Sequence, residues 1–332
     1  MNLLREPETK LRIFSKGEFL VELEKSMGNF QSNYYAMYSS VVGGIIKEPT
    51  CMMVPVDDHI VHRGDGIFEA FNCFDGKIFN LERHLARLMN SGRLLEYNMP
   101  FTNEEMKDII TETVVAGEHK DCTVRLYVSR GQGSFGVSPY DCTKSNFYVV
   151  VTKRKPWFMI RHPEGASVAI SKFPPKSDIF AASKNCNYIA NVMMKKEAVD
   201  SGVDFVVSVS EDGFVAEGAT ENIGLITQNK RLLFPKIDGV LAGTTMLRVM
   251  ELAKTLVVNG ELTEIAFAKL ETKDFECAKE VMMVGTTLNV TSVYQFCGKD
   301  VNNGQAGKLA NKLNNMIIQD ICGNEKLTTN CF

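Results

Sequence analysis

Apolar and polar positions alternate through Ile67-Phe68-Glu69-Ala70-Phe71-Asn72-Cys73-Phe74, the two-residue period of a half-buried strand. Asp75-Gly76 turns this strand back through Lys77-Ile78-Phe79, which predicts a hairpin. From Asn80 the period lengthens, with Leu81, Leu85, Leu88, Leu94 and Leu95 at helical spacing. Asn103-Glu104-Glu105 opens a second helix, with acids where the helix dipole favours them. Strands follow over Cys122 to Arg130 and Phe147 to Thr152, around a glycine-rich loop from Gly131 to Pro139.

Further on, Ala166 to Phe173 reads as a strand and Asn187 to Ser201 as a helix stopped by Gly202. Val203 to Val209 and Phe214 to Ala216 flank the turn Glu211-Asp212-Gly213. Asn222 to Thr227 and Leu232 to Phe234 continue a sheet, Thr244 to Val258 is an amphipathic helix, and Val281 to Val284 is a short buried strand. The class is α+β. The expected organisation is an N-terminal extension over 1–33, a small α+β domain over 34–153, a proline- and charge-rich linker over 154–165 and a larger domain over 166–332.

The 332 residues are ample for two domains, with 45% apolar and 23% charged residues as in ordinary globular chains. A net charge of -3 gives no electrostatic footprint for nucleic acid or an anionic membrane. No apolar run reaches the roughly 20 residues of a membrane helix, and the start does not read as a secretory signal. Nine cysteines without paired spacing suggest reduced thiols, so a cytoplasmic location is expected. His59 and His62 lack a third ligand nearby, and no metal is expected.

The candidate chemistry is an ordered set. Lys184, in Ser183-Lys184-Asn185-Cys186-Asn187-Tyr188, is placed at a strand-to-helix junction, where desolvation would free its amine. Glu217 ends a strand with Gly218 behind it. Gly243-Thr244-Thr245 opens a helix, whose unpaired amides make an anion site, and Gly285-Thr286-Thr287 leaves a buried strand. An amine for an aldehyde, an acid for a pyridine nitrogen and amides for a phosphate are what pyridoxal 5'-phosphate requires. An arginine for the phosphate could be Arg83, Arg87, Arg93, Arg125 or Arg130. The loop at Gly131 lacks the lysine and helix of a nucleotide loop and reads as a flexible wall over a pocket.

HRGDGIFE, ERHLARL, SKNCNYIAN, AEGATENI, LAGTTMLRV and VMMVGTTLNV, in this order, resemble the class IV (fold type IV) pyridoxal-phosphate aminotransferases over roughly Tyr34 to Ile321. The opening stretch looks most like the plant-type D-amino-acid enzymes. The resemblance implies a small α+β domain and a larger pseudo-barrel domain with the cofactor between them, in a homodimer. It implies that Lys184 holds the cofactor and moves the α proton, and that Glu217 pairs with the ring nitrogen. Arg87, Thr245, Thr286 and the amide of Thr244 would bind the phosphate. Tyr188 would support the phenolic oxygen, while Thr220 and Asn222 would shape the cofactor pocket.

Subfamily features are mixed. Asn187 comes three residues after the lysine, as in D-amino-acid enzymes and aminodeoxychorismate lyases, whereas Arg125 and Gly136-Val137-Ser138-Pro139 resemble the branched-chain pattern. Phe68 stands where Bacillus-type D-amino-acid enzymes have a tyrosine, Asn72 where branched-chain enzymes have an arginine, and Phe135 where the lyases have one. The expected activity is amino transfer between an amino acid, a D-amino acid such as D-alanine favoured, and a 2-oxo acid. Transfer from L-branched-chain amino acids is the alternative; a lyase, or a homologue that binds the cofactor without catalysis, ranks below it. Arg125 would take the substrate carboxylate, with Phe68, Phe71 and Phe135 walling the side chain and Thr287 also at the substrate.

Overall fold

The structure is a computed structural model that describes residues 11–236 and 240–332. Seven strands form the first sheet: β1 (Tyr34–Ser39), β2 (Gly44–Ile46), β3 (Gly66–Phe74), β4 (Lys77–Phe79), β5 (Cys122–Ser129), β6 (Asn146–Lys153) and β16 (Thr328–Asn330). Their order is β16-β4-β3-β5-β6-β1-β2, antiparallel throughout. Helices α3 (Leu81–Leu94) and α4 (Asn103–Ala116) belong to this unit, after α1 (Lys16–Lys25) and the one-turn α2 (His59–His62). The alternation in β3 has the predicted consequence. Ile67, Phe71 and Cys73 join Leu81, Leu85 and Leu88 in the core, while Phe68 and Ala70 face a cavity on the other side.

The second sheet contains β7 (Ala166–Ile170), β8 (Phe205–Val209), β9 (Val215–Gly218), β10 (Asn222–Ile226), β11 (Arg231–Pro235), β12 (Glu264–Ala268), β13 (Glu280–Gly285), β14 (Asn289–Phe296) and β15 (Lys299–Asp300). Its path runs β12-β11-β10-β13-β14-β7-β8-β9, and β9 pairs back onto β10 through Glu217 and Asn222. That last pairing closes six strands into the pseudo-barrel. α5 (Phe158–Arg161) lies in the expected linker; α6 (Asp178–Ala182), α7 (Ile189–Asp200), α8 (Thr244–Val258), α9 (Thr272–Glu276) and α10 (Lys308–Gly323) follow. Apolar residues of α8 and α10, among them Val249, Ala253, Leu313 and Ile317, form one core with Met282 and Val284 of β13.

Two expectations are corrected. The chain does not end within the second unit, because β16 pairs with β4 and extends the first sheet, so 166–332 is not one domain to its last residue. Lys184 does not follow a strand directly; it lies between the short helix α6 and α7. No helix among the described residues is long and apolar enough to cross a membrane, and no group of ligand-type side chains there could hold a metal ion.

Candidate active site

A cavity of about 510 Å³ opens between the two sheets. Backbone bonds to the first unit fix Lys184 at its edge. The Phe68 amide donates to the Lys184 carbonyl at 2.9 Å, and the Lys184 amide donates to Ser91 Oγ of α3 at 3.0 Å. Asn185 makes an isolated bridge to Ile67, and the Cys186 amide donates to the Gly66 carbonyl. The GDG turn and the lysine segment, 118 residues apart between Gly66 and Lys184, are therefore one piece of structure. Lys184 Nζ stands 4.6 Å from the centre of the Phe68 ring. Burial, reinforced by the charge of Arg87, lowers its pKa to about 8.

Glu217 also faces the cavity, at the β9–β10 closure. Burial raises its pKa to about 7, opposed by the Leu241 amide, which donates to Oε2 at 3.1 Å. Asn222, opposite it on β10, donates from Nδ2 to the Leu241 carbonyl at 3.0 Å. Gly243 leaves this carboxamide its space: a Cβ there would come 2.0 Å from Asn222 Oδ1. The two Gly-Thr-Thr segments meet, with Thr245 Oγ1 3.3 Å from Thr286 Oγ1. Thr244 and Thr245 open α8, so its unpaired amides and dipole lie at this end of the cavity.

Among the five candidate arginines, Arg87 and Arg125 line the cavity. Arg83 pairs instead with Glu251, Arg93 with Asn90, and Arg130 with Asp65. Arg87 is oriented by a carboxylate that motif reading passed over. Its Nε and Nη2 donate to the two oxygens of Glu69 at 2.7 and 2.8 Å, and Nη1 donates to the Ala242 carbonyl. Glu69 Oε2 also lies 2.6 Å from His84 Nδ1, and His84 Nε2 lies 3.3 Å from Thr244 Oγ1. Although burial alone would raise it, Arg87 and His84 hold the Glu69 carboxyl down at about 2, so the pair is ionised. A charge on the strand face shared with Ile67, Phe71 and Cys73 was the available signal, since a buried carboxylate requires a cation.

Phe68, Tyr188, Thr220, Thr286 and Thr287 line the cavity. The Phe68 ring lies between those of Tyr188 and Tyr127, at 5.1 and 6.0 Å. Arg125 stands on β5 opposite Ala70, with Nη1 donating to Thr152 Oγ1 at 3.1 Å. Two wall residues are corrected. Phe71 faces the core of the first sheet, as the alternation of β3 requires. Phe135 is 60% exposed on its loop, its ring against His62 and its carbonyl accepting from Arg63. The glycine loop carrying it does not wall the cavity of its own chain, because it folds back on itself. Gly131 has φ +109°, and a Cβ there would sit 1.7 Å from the Lys144 carbonyl oxygen. Lys176 and Tyr127, which line the cavity, were not anticipated.

The family model for "Amino-transferase class IV" matches residues 66–296. The chain belongs to the class IV aminotransferases. It is 35% identical over 289 residues to the chloroplastic D-amino-acid transaminase of Arabidopsis thaliana, covering 87% of this chain and 77% of that one. It is 31% identical over 261 residues to a putative branched-chain-amino-acid aminotransferase of Methanocaldococcus jannaschii, 78% and 88% of the two chains. The fold matches that of the branched-chain aminotransferase of Thermoproteus uzoniensis with a TM-score of 0.80 at 21% identity, covering 90% of this chain and 100% of the other. Class IV aminotransferases use pyridoxal phosphate. The cavity fits that cofactor: it offers an amine with a depressed pKa, a buried acid, a fixed guanidinium and a helix N-terminus.

Proposed function

We propose that this class IV aminotransferase moves the amino group of a D-amino acid such as D-alanine to a 2-oxo acid, with Lys184 and Glu217 as its catalytic pair. The observation that carries this reading is the convergence of both side chains on one cavity, in a chain 35% identical to a D-amino-acid transaminase. Pyridoxal phosphate, when bound, supplies the aldehyde that takes up the amino group and a ring that stores the electrons of the α carbon. Lys184 Nζ removes and returns the α proton, a role suited to an amine whose pKa lies near neutrality. Glu217 would pair with the ring nitrogen, ionising against that cation and keeping it protonated.

Arg87, Thr245, Thr286 and the Thr244 amide hold the phosphate, and Glu69 fixes the Arg87 fork. Tyr188 supports the phenolic oxygen, and Thr220 and Asn222 shape the ring pocket. Arg125 takes the substrate carboxylate, with Thr287 beside it and Phe68 against the side chain. A homodimer is part of this reading, because the exposed Phe135 loop, which does not wall the cavity of its own chain, is free to reach that of a second copy. A cytoplasmic setting accords with nine unpaired cysteines.

Branched-chain L-amino acids are the second reading, favoured by the Methanocaldococcus jannaschii relative and by Arg125. A donor screen over both enantiomers of alanine, aspartate, glutamate, leucine and valine separates the two. D-alanine turnover with stoichiometric formation of pyruvate is expected, and turnover confined to L-leucine and L-valine contradicts the D-specific reading.

A further inference from the structure

The cavity holds a second lysine for which the amino-transfer chemistry has no use. Lys176 lies in the segment joining β7 to α6 and lines the cavity together with Lys184 and Glu217. Its Nζ stands 4.6 Å from the centre of the Tyr188 ring. The segment is built to hold it there. Pro174-Pro175 immediately before it restricts the backbone. Glu197 of α7 fastens the start of the segment, accepting from Ser171 Oγ at 2.6 Å and from the Lys172 amide at 3.1 Å.

A half-buried ammonium is costly without an anion. The surrounding protein depresses the pKa of Lys176, and the charges that oppose this come from Glu217 and Cys186, neither hydrogen-bonded to it. When Glu217 pairs with the ring nitrogen its charge is directed there, and Lys176 keeps no protein carboxylate as a counter-charge of its own. Arg125, on the first sheet, already supplies a cation for one carboxylate of the substrate. A second cation from the other unit calls for a second anionic group on the same molecule.

We propose that Lys176 is a specificity-determining residue that binds the distal carboxylate of a dicarboxylic amino acid or 2-oxo acid. This rests on the reading of the cavity as the amino-transfer site. Monocarboxylic substrates use Arg125 alone, and dicarboxylic partners use Arg125 and Lys176 together. A cationic side chain at position 176 is required; its ability to give up a proton is not.

The test is binding, which is independent of turnover. Glutarate and butyrate are titrated into the holoenzyme of the wild type, Lys176→Met and Lys176→Arg, following the visible absorbance of the bound cofactor. Wild-type protein should prefer glutarate, Lys176→Met should lose more than about tenfold of that preference, and Lys176→Arg should keep most of it. A wild type without preference, a preference that survives in Lys176→Met, or an equal weakening of both ligands overturns the proposal. Wild-type selectivity for glutarate in a protein that transfers no amino group would sink the amino-transfer reading and leave the carboxylate site standing.

Discussion

At the scale of single residues, the lowered pKa of Lys184 gives the proposed cofactor lysine a distinctive pH dependence. A lysine in water is almost wholly protonated at neutral pH, whereas a pKa of about 8 leaves roughly a tenth of the side chain as free amine at pH 7. The lowered value means that the amine fraction rises through pH 8 and is nearly complete at pH 9. Stopped-flow mixing of apoprotein with pyridoxal phosphate should therefore show a capture rate that climbs about fivefold from pH 7 to 8 and then levels. A rate still climbing tenfold per unit above pH 9 would mean an unperturbed lysine. Lys184, Glu217 and the paired threonines were legible as an ordered set of short motifs, although each residue type alone is common. Glu69 was hidden because its partners, His84 and Arg87, lie on another element. Lys176 was hidden because the distance from residue 176 to Tyr188 depends on how the proline segment folds.

Among the elements, strand and helix periods were read well where one face is buried. The predicted span of Thr244 to Val258 is that of α8, and the β3–β4 hairpin turns at Asp75-Gly76 as expected. β14, β12 and α10 were not anticipated. β14 is buried nearly throughout, so it has no alternation to read, and only its position beside β13 and β7 makes it a strand. The turn into α8 carries a prediction of its own. Gly243→Ala forces the Asn222 carboxamide to move or the turn to open. Equilibrium dialysis should show cofactor affinity reduced about tenfold or more, with the far-ultraviolet circular dichroism unchanged. Unaltered affinity would show that the turn has slack.

For the molecule as a whole, the cavity lies between two sheets that are joined at several places, with Phe74 and Phe79 of the first packed on the second unit's core. The β3–Lys184 bonds are one, and the Arg87–Ala242 bond is another. The return of β16 to the first sheet is a third, and sequence periodicity could not show it, since a three-residue edge strand has no pattern of its own. Cys331 packs on the first core, and the Phe332 ring lies against Gly76. Deleting 328–332 should lower the melting temperature by on the order of 5 °C while leaving cofactor affinity intact, because no residue removed touches the cavity. Loss of the cofactor at unchanged melting temperature would mean that the two units communicate through the C-terminus.

The central claim is that Lys184, of the two cavity lysines, carries the cofactor opposite Glu217. Borohydride reduction of the holoenzyme, followed by peptide mass spectrometry, tests it directly. One reduced cofactor on the peptide position of Lys184 is predicted, with none on Lys184→Ala. Label on Lys176, or no label on a protein that transfers amino groups, would contradict it.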